Sequence, residues 1–158
     1  NLNNYRINFS LKFYWVLSTL ILVQISYGAL VAGLKAGYAY NTFPLMNGSF
    51  LPPDFLMGES YFDAILNNPY TVQFFHRIMG IFLFITACYL IFVNMKLNNK
   101  EFIKSPEIQL GVAISVQVVI GVLTLVLKVP ISLASIHQVL ACFVLLLSVK
   151  ILYISNRQ

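Results

Sequence analysis

Charged residues are scarce in this sequence, and their scarcity limits what the chain can be. Of its 158 residues only 9% are charged, while 59% are hydrophobic. Soluble domains usually carry about 25% charged and about 45–50% apolar residues, so a water-soluble domain is excluded. Aromatic side chains make up 15% of the chain, which excludes a disordered or low-complexity chain, because such chains have few of them. The composition is that of a membrane protein.

Acids and cysteines are also few. Five acidic residues against ten basic ones give a net charge of +5. We expect this excess to reflect basic loops on the cytoplasmic side of a membrane rather than an anionic partner, and no nucleic acid partner is expected. Cys88 and Cys142 each lie deep in an apolar run, where we expect small core residues rather than a disulfide or metal pair. The chain begins at Asn1 without a signal-peptide pattern, and we interpret it as a fragment or a processed piece.

Four long apolar stretches predict four membrane-spanning helices. They cover approximately residues 13–34, 72–93, 108–127 and 131–153, and none of them contains an acid. A helix needs about 20 residues to cross a hydrocarbon core of about 30 Å, and backbone groups in lipid must hydrogen-bond within their own segment. We therefore predict an all-α integral membrane protein, with residues 1–158 forming a single four-helix transmembrane domain.

Basic residues near the ends of the spans predict the orientation. Seven lie at one end of the predicted bundle and three at the other. By the positive-inside rule the two chain termini are expected on the cytoplasmic side, or on the matrix side of an organelle. The seven are Arg6, Lys12, Lys96, Lys100, Lys104, Lys150 and Arg157, and the three are Lys35, Arg77 and Lys128.

The predicted loop between the first two spans, about residues 36–71, is long enough to hold its own structure. Asp54 can cap a short helix in which Phe55, Phe62 and Leu66 recur near helical spacing. Such an amphipathic helix would lie on the membrane surface.

An internal repeat links the first and third spans at an offset of 93 residues. Each repeated unit would then be a pair of spans, and the two units would be related by a pseudo-two-fold axis along the membrane normal. The matched residues are Val23, Gln24, Gly28, Leu30, Leu34 and Lys35 in the first span, and Val116, Gln117, Gly121, Leu123, Leu127 and Lys128 in the third.

The chain has two histidines, and the repeat places them at equivalent depths. His76 lies about one turn inside the second span, and His137 lies at a similar depth inside the fourth. An ionisable residue inside a span is by default a functional-site hypothesis. Two axial imidazoles from opposed helices are one way to hold a six-coordinate haem iron in a bundle. His76 and His137 are therefore predicted to be haem iron ligands.

Small residues follow each histidine on the same helix face, four and eleven positions further on. They would leave room for a flat macrocycle, but they are also typical of close packing between transmembrane helices. These residues are Gly80 and Ala87 after His76, and Ala141 and Ser148 after His137.

Three basic residues lie near the same end of the spans, namely Arg77, Lys35 and Lys128. They can pair with haem propionates or extend to the membrane interface. A tetrahedral zinc site fits less well, because no Cys, Asp or Glu lies at the depth of the histidines.

Specific motifs accompany the histidines. Residues 28–48 read GALVAGLKAGYAYNTFPLMNG, residues 72–77 read VQFFHR, and His137 is followed by Gln138. With these motifs, essentially the whole chain resembles the carboxy-terminal half of the haem A synthase family. The family commonly has Glu-Asn where this chain has Asn67-Asn68, so any role for an acid there is in doubt.

The resemblance implies a function. The family is an eight-span membrane oxidoreductase of two four-helix halves, which oxidises the C8 methyl of haem O to the formyl group of haem A for cytochrome oxidase. The resemblance implies that His76 and His137 bind a haem b for electron transfer. Arg77, Gly80 and Ala141 are expected beside this haem from their own positions near the histidines. The amino-terminal half of the family carries two further histidines and a glutamate near the substrate haem. This chain would then be a fragment of an eight-span protein and would not be catalytically complete alone.

The resemblance also implies partners and a location. The expected partners are haem O and haem A as substrate and product, membrane lipid, and haem O synthase or cytochrome oxidase assembly factors. The expected location is a bacterial inner membrane or the mitochondrial inner membrane.

Two alternatives from the residues stay open. One is a stand-alone di-histidine cytochrome b that carries electrons, and the other is a haem-free assembly protein whose histidines hydrogen-bond between helices.

Overall fold

The computed structural model describes residues 9–97 and 105–157. Of the basic residues used to predict orientation, Arg6, Lys100 and Lys104 lie outside these ranges. The described residues form helices and no strand, and four of the helices are long and apolar enough to cross a membrane. The predicted fold class is therefore confirmed. The α-helices are α1 (Leu11–Gly33), α2 (Tyr61–Asn67), α3 (Pro69–Leu97), α4 (Pro106–Val126) and α5 (Ile131–Ser155).

The four long helices pack in a ring in which α1 contacts α3 and α5, and α4 contacts the same two helices. The bundle has two different ends. We call the end at which α1 begins and α5 finishes the terminal end, and the opposite end, which carries the long connection from α1 to α3, the loop end. The short turn between α4 and α5 also lies at the loop end.

A connected cluster of buried apolar side chains lies in one half of this bundle, whereas Met46, Val72 and Phe74 are buried separately at the loop end. The members of the cluster lie in the first halves of α1 and α4 and in the second halves of α3 and α5, so all of them belong to the terminal half. Burial of such side chains between helices gives the close packing that holds membrane bundles together. They are Tyr14, Leu17, Ile21, Leu83, Ala87, Leu90, Leu110, Ala113, Ile114, Val144, Ile151 and Leu152.

A buried polar network joins three helices at the terminal end. The Tyr14 hydroxyl donates to Glu107 Oε1 at 2.8 Å. Ser105 Oγ lies 2.5 Å from Glu107 Oε2 and 2.8 Å from Asn94 Oδ1. Glu107 is fully buried in the first turn of α4. The prediction that no span contains an acid is therefore wrong, because α4 begins at Pro106, ahead of the predicted start.

The repeat is visible in this network and at the loop end. Tyr14 and Glu107 are 93 residues apart, so they occupy equivalent positions of the two units and meet between them. The helices α1 and α4 also end alike. The Lys35 amide donates to Ala32 and the Lys128 amide donates to Leu125, both at 3.1 Å. Both lysines take the left-handed conformation, with φ of 53° and 60°.

The sequence predicted that the two cysteines are core residues, and this prediction was wrong. Cys88 and Cys142 are free and exposed on their helices. An apolar run does not distinguish the two faces of a membrane helix, because lipid tails are as apolar as a protein core. The expectation of burial was wrong for that reason.

The loop helix exists, but its predicted start was wrong. The helix α2 begins at Tyr61, and the Ser60 hydroxyl caps it by accepting from the Asp63 amide at 3.1 Å. Asp54 caps no helix; its backbone carbonyl accepts a hydrogen bond from the Asn68 amide side chain at 3.2 Å. Serine and aspartate side chains can both accept the capping hydrogen bond at the start of a helix. The spacing of the apolar residues alone did not distinguish Ser60 from Asp54 as the cap.

We predict that Tyr14→Phe destabilises the bundle by about 1–2 kcal/mol, because it removes a buried hydrogen bond to a carboxylate. The free energy of unfolding, measured in mixed detergent micelles, checks this. Tyr61→Phe is the control, since Tyr61 is 77% exposed. Equal stability of the two variants would contradict the proposed importance of the Tyr14–Glu107 contact.

Candidate functional site

The two histidines lie in the loop half, at corresponding positions of α3 and α5. Pro69 is the first residue of α3 and Pro130 caps α5. His76 and His137 each follow their proline by seven residues. Their equal distance from these prolines agrees with the equivalent depth predicted from the repeat.

A glutamine of the neighbouring helix contacts each histidine in the same way. Gln24 Nε2 on α1 donates to the backbone oxygen of His76 at 3.0 Å and lies 3.5 Å from its Nε2. Gln117 Nε2 on α4 donates to the backbone oxygen of His137 at 2.9 Å and also lies 3.5 Å from its Nε2. Each repeated unit therefore builds one histidine–glutamine pair.

A glycine one turn further along α1 or α4 leaves space for each imidazole. A Cβ atom on Gly28 would lie 3.2 Å from His76 Cε1, and a Cβ atom on Gly121 would lie 2.7 Å from His137 Cε1. A side chain at position 121 would force the ring to shift, whereas one at position 28 would make a tight contact with it. In the sequence, Gln24 and Gly28 and their counterparts Gln117 and Gly121 were recognised only as part of the repeat. A polar or very small residue inside a span was already a signal of a site.

Six buried side-chain polar atoms of the described residues have no hydrogen-bond partner, and all of them lie in the loop half. Buried polar atoms in proteins are nearly always paired, so such a cluster requires an explanation. One explanation is a polar group that binds among them. The atoms are Gln24 Oε1, Gln73 Oε1, His76 Nδ1, Arg77 Nε, Gln117 Oε1 and His137 Nδ1.

Arg77 connects the site to the long loop. Its guanidinium donates to the backbone oxygens of Tyr40 and Thr42, both at 2.6 Å. Gln73, one turn earlier on α3, donates to the same Tyr40 oxygen at 3.0 Å. Arg77 is only 8% exposed, because the long loop covers its guanidinium. Two motifs that are separate in the sequence, residues 41–46 and 73–77, therefore meet at the loop end.

The small residues of the predicted stripes divide between the two halves. A Cβ atom on Gly80 would lie 3.3 Å from Gln24 Nε2, so Gly80 borders the site. Ala141 is half-buried one turn after His137. Ala87 and Ser148, in contrast, are buried in the terminal half. Helix packing accounts for these two, whereas Gly80 and Ala141 remain beside the histidines.

The electrostatic surroundings of the histidines are simple. No group of three or more His, Cys, Asp and Glu residues that could hold a metal ion occurs within residues 9–97 and 105–157. Glu107, the carboxylate inside α4, lies at the terminal end. Lys35 and Lys128 are exposed at the loop end. The site therefore offers imidazole and amide groups, with the buried Arg77 as its nearest fixed charge.

These features define a class, namely an integral membrane four-helix bundle made of two repeated helix pairs, each with a histidine, a glutamine and a glycine in its loop half. The chain matches the family model COX15-CtaA, described as cytochrome oxidase assembly protein, over residues 6–149. It belongs to that family.

Curated relatives agree with this family. The chain is 41% identical over 133 residues to a heme A synthase of Bartonella henselae, which covers 84% of the chain and 37% of the relative. It is 37% identical over 150 residues to a heme A synthase of Ehrlichia canis, with 95% of the chain and 41% of the relative covered. The chain thus spans about two-fifths of the length of these relatives. No solved structure matches it.

We predict that Gly121→Ala destabilises the protein by about 1–3 kcal/mol, the range typical of overpacking, and more than Gly28→Ala does. The reason is that the Cβ atom would lie 2.7 Å from His137 but 3.2 Å from His76. Gly33→Ala is the matched control, because a Cβ atom there meets nothing within 4 Å. Unfolding in detergent measures all three, and equal effects of the two site variants would show that the imidazoles do not pack against these glycines.

Proposed function

We propose that this chain is the haem b-binding, electron-transfer half of a haem A synthase. The observation that carries the proposal is the duplicated histidine–glutamine–glycine arrangement, in which each imidazole has a buried nitrogen without a partner. Family membership and relatives named heme A synthase support it. In the whole protein, the activity would be oxidation of the C8 methyl of haem O to the formyl group of haem A.

The residues present fit a haem. His76 and His137 would hold the iron as its two axial ligands, since each keeps ring-nitrogen capacity that the described residues do not use. Gly28 and Gly121 keep bulky side chains away from the imidazoles, and Gly80 does the same beside Gln24. Arg77 would face the carboxylates of the group, because its Nε is buried without a partner and guanidinium groups bind carboxylates strongly.

The chemistry expected of these residues is electron transfer. A haem b held by two imidazoles would supply one-electron exchange at its iron. His76 and His137 would both hold the iron of this haem. The apolar helices around them would exclude water. The side-chain contacts of the two imidazoles come from glutamines, and we propose that haem O is oxidised in a part of the whole protein outside this site.

The proposal includes an orientation and partners. The terminal end carries Lys12, Lys96, Lys150 and Arg157 among the described residues, so we place it on the cytoplasmic or matrix side of the inner membrane. The haem site would then lie near the outer leaflet. Haem O and haem A would be substrate and product of the whole enzyme, and haem O synthase or cytochrome oxidase assembly factors would be its protein partners.

We predict that His76→Gly and His137→Gly each abolish the low-spin haem b spectrum of the purified chain, because each removes one axial ligand. The reduced-minus-oxidised absorption spectrum measures this. Free imidazole added to either variant should restore the low-spin bands, since it can occupy the space left by the side chain. Ser26→Ala, on an exposed position of α1, is the control. Low-spin spectra that are unchanged in both glycine variants without imidazole would refute the assignment.

We also predict that Gly80→Leu lowers the haem content several-fold without preventing membrane insertion. The leucine would enter the space next to Gln24, where a Cβ atom already lies 3.3 Å from the amide nitrogen. Gly33→Leu is the matched control, because its position is open. The haem-to-protein ratio of purified protein is the measurement, and full haem loading of Gly80→Leu would favour simple helix packing at this position.

A further inference from the structure

The segment that follows α1 crosses the loop end of the bundle and is fixed to α4. These two helices lie on opposite sides of the ring, since each of them contacts α3 and α5. Asn41 Nδ2 donates to the backbone oxygen of Leu125, in the last turn of α4, at 2.9 Å and to that of Gly37 at 2.8 Å. Gly37 itself lies so close to the turn after α4 that a Cβ atom on it would be 2.9 Å from Val129 Cγ2. We call this segment, residues 37–42, the strap.

The strap also holds Arg77 of α3. The backbone oxygens of Tyr40 and Thr42, which flank Asn41 in the sequence, both accept from the guanidinium at 2.6 Å. These partners are neutral carbonyl groups, so the buried Arg77 keeps its positive charge. A buried charge acts strongly on its surroundings, whereas water and salt screen a charge that reaches the solvent. The field in the histidine site therefore depends on whether the strap keeps Arg77 in place.

We propose that Asn41 is a positioning residue for Arg77, because it anchors the strap to α4 and the strap then holds the guanidinium in its buried position beside the haem site. The inference rests on the proposed function and adds to it, since it assigns part of the reduction potential to a residue that touches neither histidine. A fixed positive charge near the porphyrin favours ferrous iron, which carries one positive charge fewer than ferric iron, and so raises the midpoint potential. Release of the strap would let water reach the guanidinium, and the midpoint potential would fall.

The first test uses the purified chain with its bound haem. Asn41→Leu removes the donor at nearly the same side-chain size, so we expect a lower midpoint potential in a potentiometric titration, as for Arg77→Gln. In the Arg77→Gln background the same substitution should leave the potential unchanged, because no charge remains to be positioned. An unchanged potential in the original background, or an equal fall in both backgrounds, would overturn the inference.

The matched control is Asn67→Leu. Asn67 lies in α2, within the same long connection, and its exposed side chain donates to Asp63 Oδ1 at 2.7 Å. This variant also loses one asparagine hydrogen bond, but its midpoint potential should equal that of the unsubstituted chain.

A second variant decides the question if Asn41→Leu binds no haem. Gly37→Ala should also lower the midpoint potential, because the added Cβ atom would push the strap away from Val129. Combining it with Val129→Ala removes the colliding methyl group and should restore the potential. If Gly37→Ala leaves the potential unchanged, or if Val129→Ala fails to restore it, the strap does not position the charge.

The haem-free chain separates this inference from the proposed function. Either Asn41→Leu or Arg77→Gln would free the strap, so the losses that they cause in the free energy of unfolding in detergent should be less than additive. Additive losses would show that the two side chains are not coupled and that the inference is wrong. Failure of the unsubstituted chain to bind any haem would instead refute the proposed function, and the coupling in the haem-free chain would still decide whether Asn41 positions Arg77.

Discussion

A polar side chain buried in a membrane-spanning bundle must find its hydrogen-bond partner inside the protein, because the surrounding lipid offers none. The described part of this chain meets that requirement unevenly. At the terminal end Tyr14, Asn94, Ser105 and Glu107 satisfy one another. In the loop half, glutamine and histidine side chains keep buried atoms without partners. The same constraint therefore explains why one half is closed and why the other half is suited to receive a ligand.

The repeat explains why the two histidines of the candidate site have matching surroundings. A single helix pair provides one histidine, one glutamine that reaches it and one glycine that leaves space for it, and duplication provides the second set. Gln24 and Gln117 make the same contacts to within 0.1 Å, since their bonds to the histidine backbone measure 3.0 and 2.9 Å. The contact between Tyr14 and Glu107, which are equivalent positions of the two units, joins the units at the opposite end. The packed terminal half then holds α3 and α5, the two helices that carry the histidines, in fixed positions.

The sequence predicted the parts of this fold that depend on length and composition, and it failed where the face of a helix mattered. Four apolar runs long enough to cross a membrane predict four helices, because nothing else satisfies the backbone in lipid. The same apolarity hides which side faces the bundle, so Cys88 and Cys142 were misplaced. The position of Glu107 inside a helix was missed because the apolar run was taken to begin after this acid, at residue 108. The helix itself begins at Pro106. The histidines were found by their depth, but their contacts with Gln24 and Gln117 depend on the packing of helices that are distant in sequence.

The two units are not equivalent everywhere, and the difference lies where the long loop joins the bundle. Arg77 and Gln73 hold the Tyr40 backbone oxygen against α3, and the loop has no counterpart after α4, where a short turn leads to α5. The position after His137 is Gln138, which is exposed, whereas the position after His76 is a buried arginine. The repeat thus provides two matched imidazoles, while the loop gives one of them a fixed positive charge. A charged group bound between the histidines would therefore experience an asymmetric field, and that field would select one orientation from the two that the repeat alone would allow.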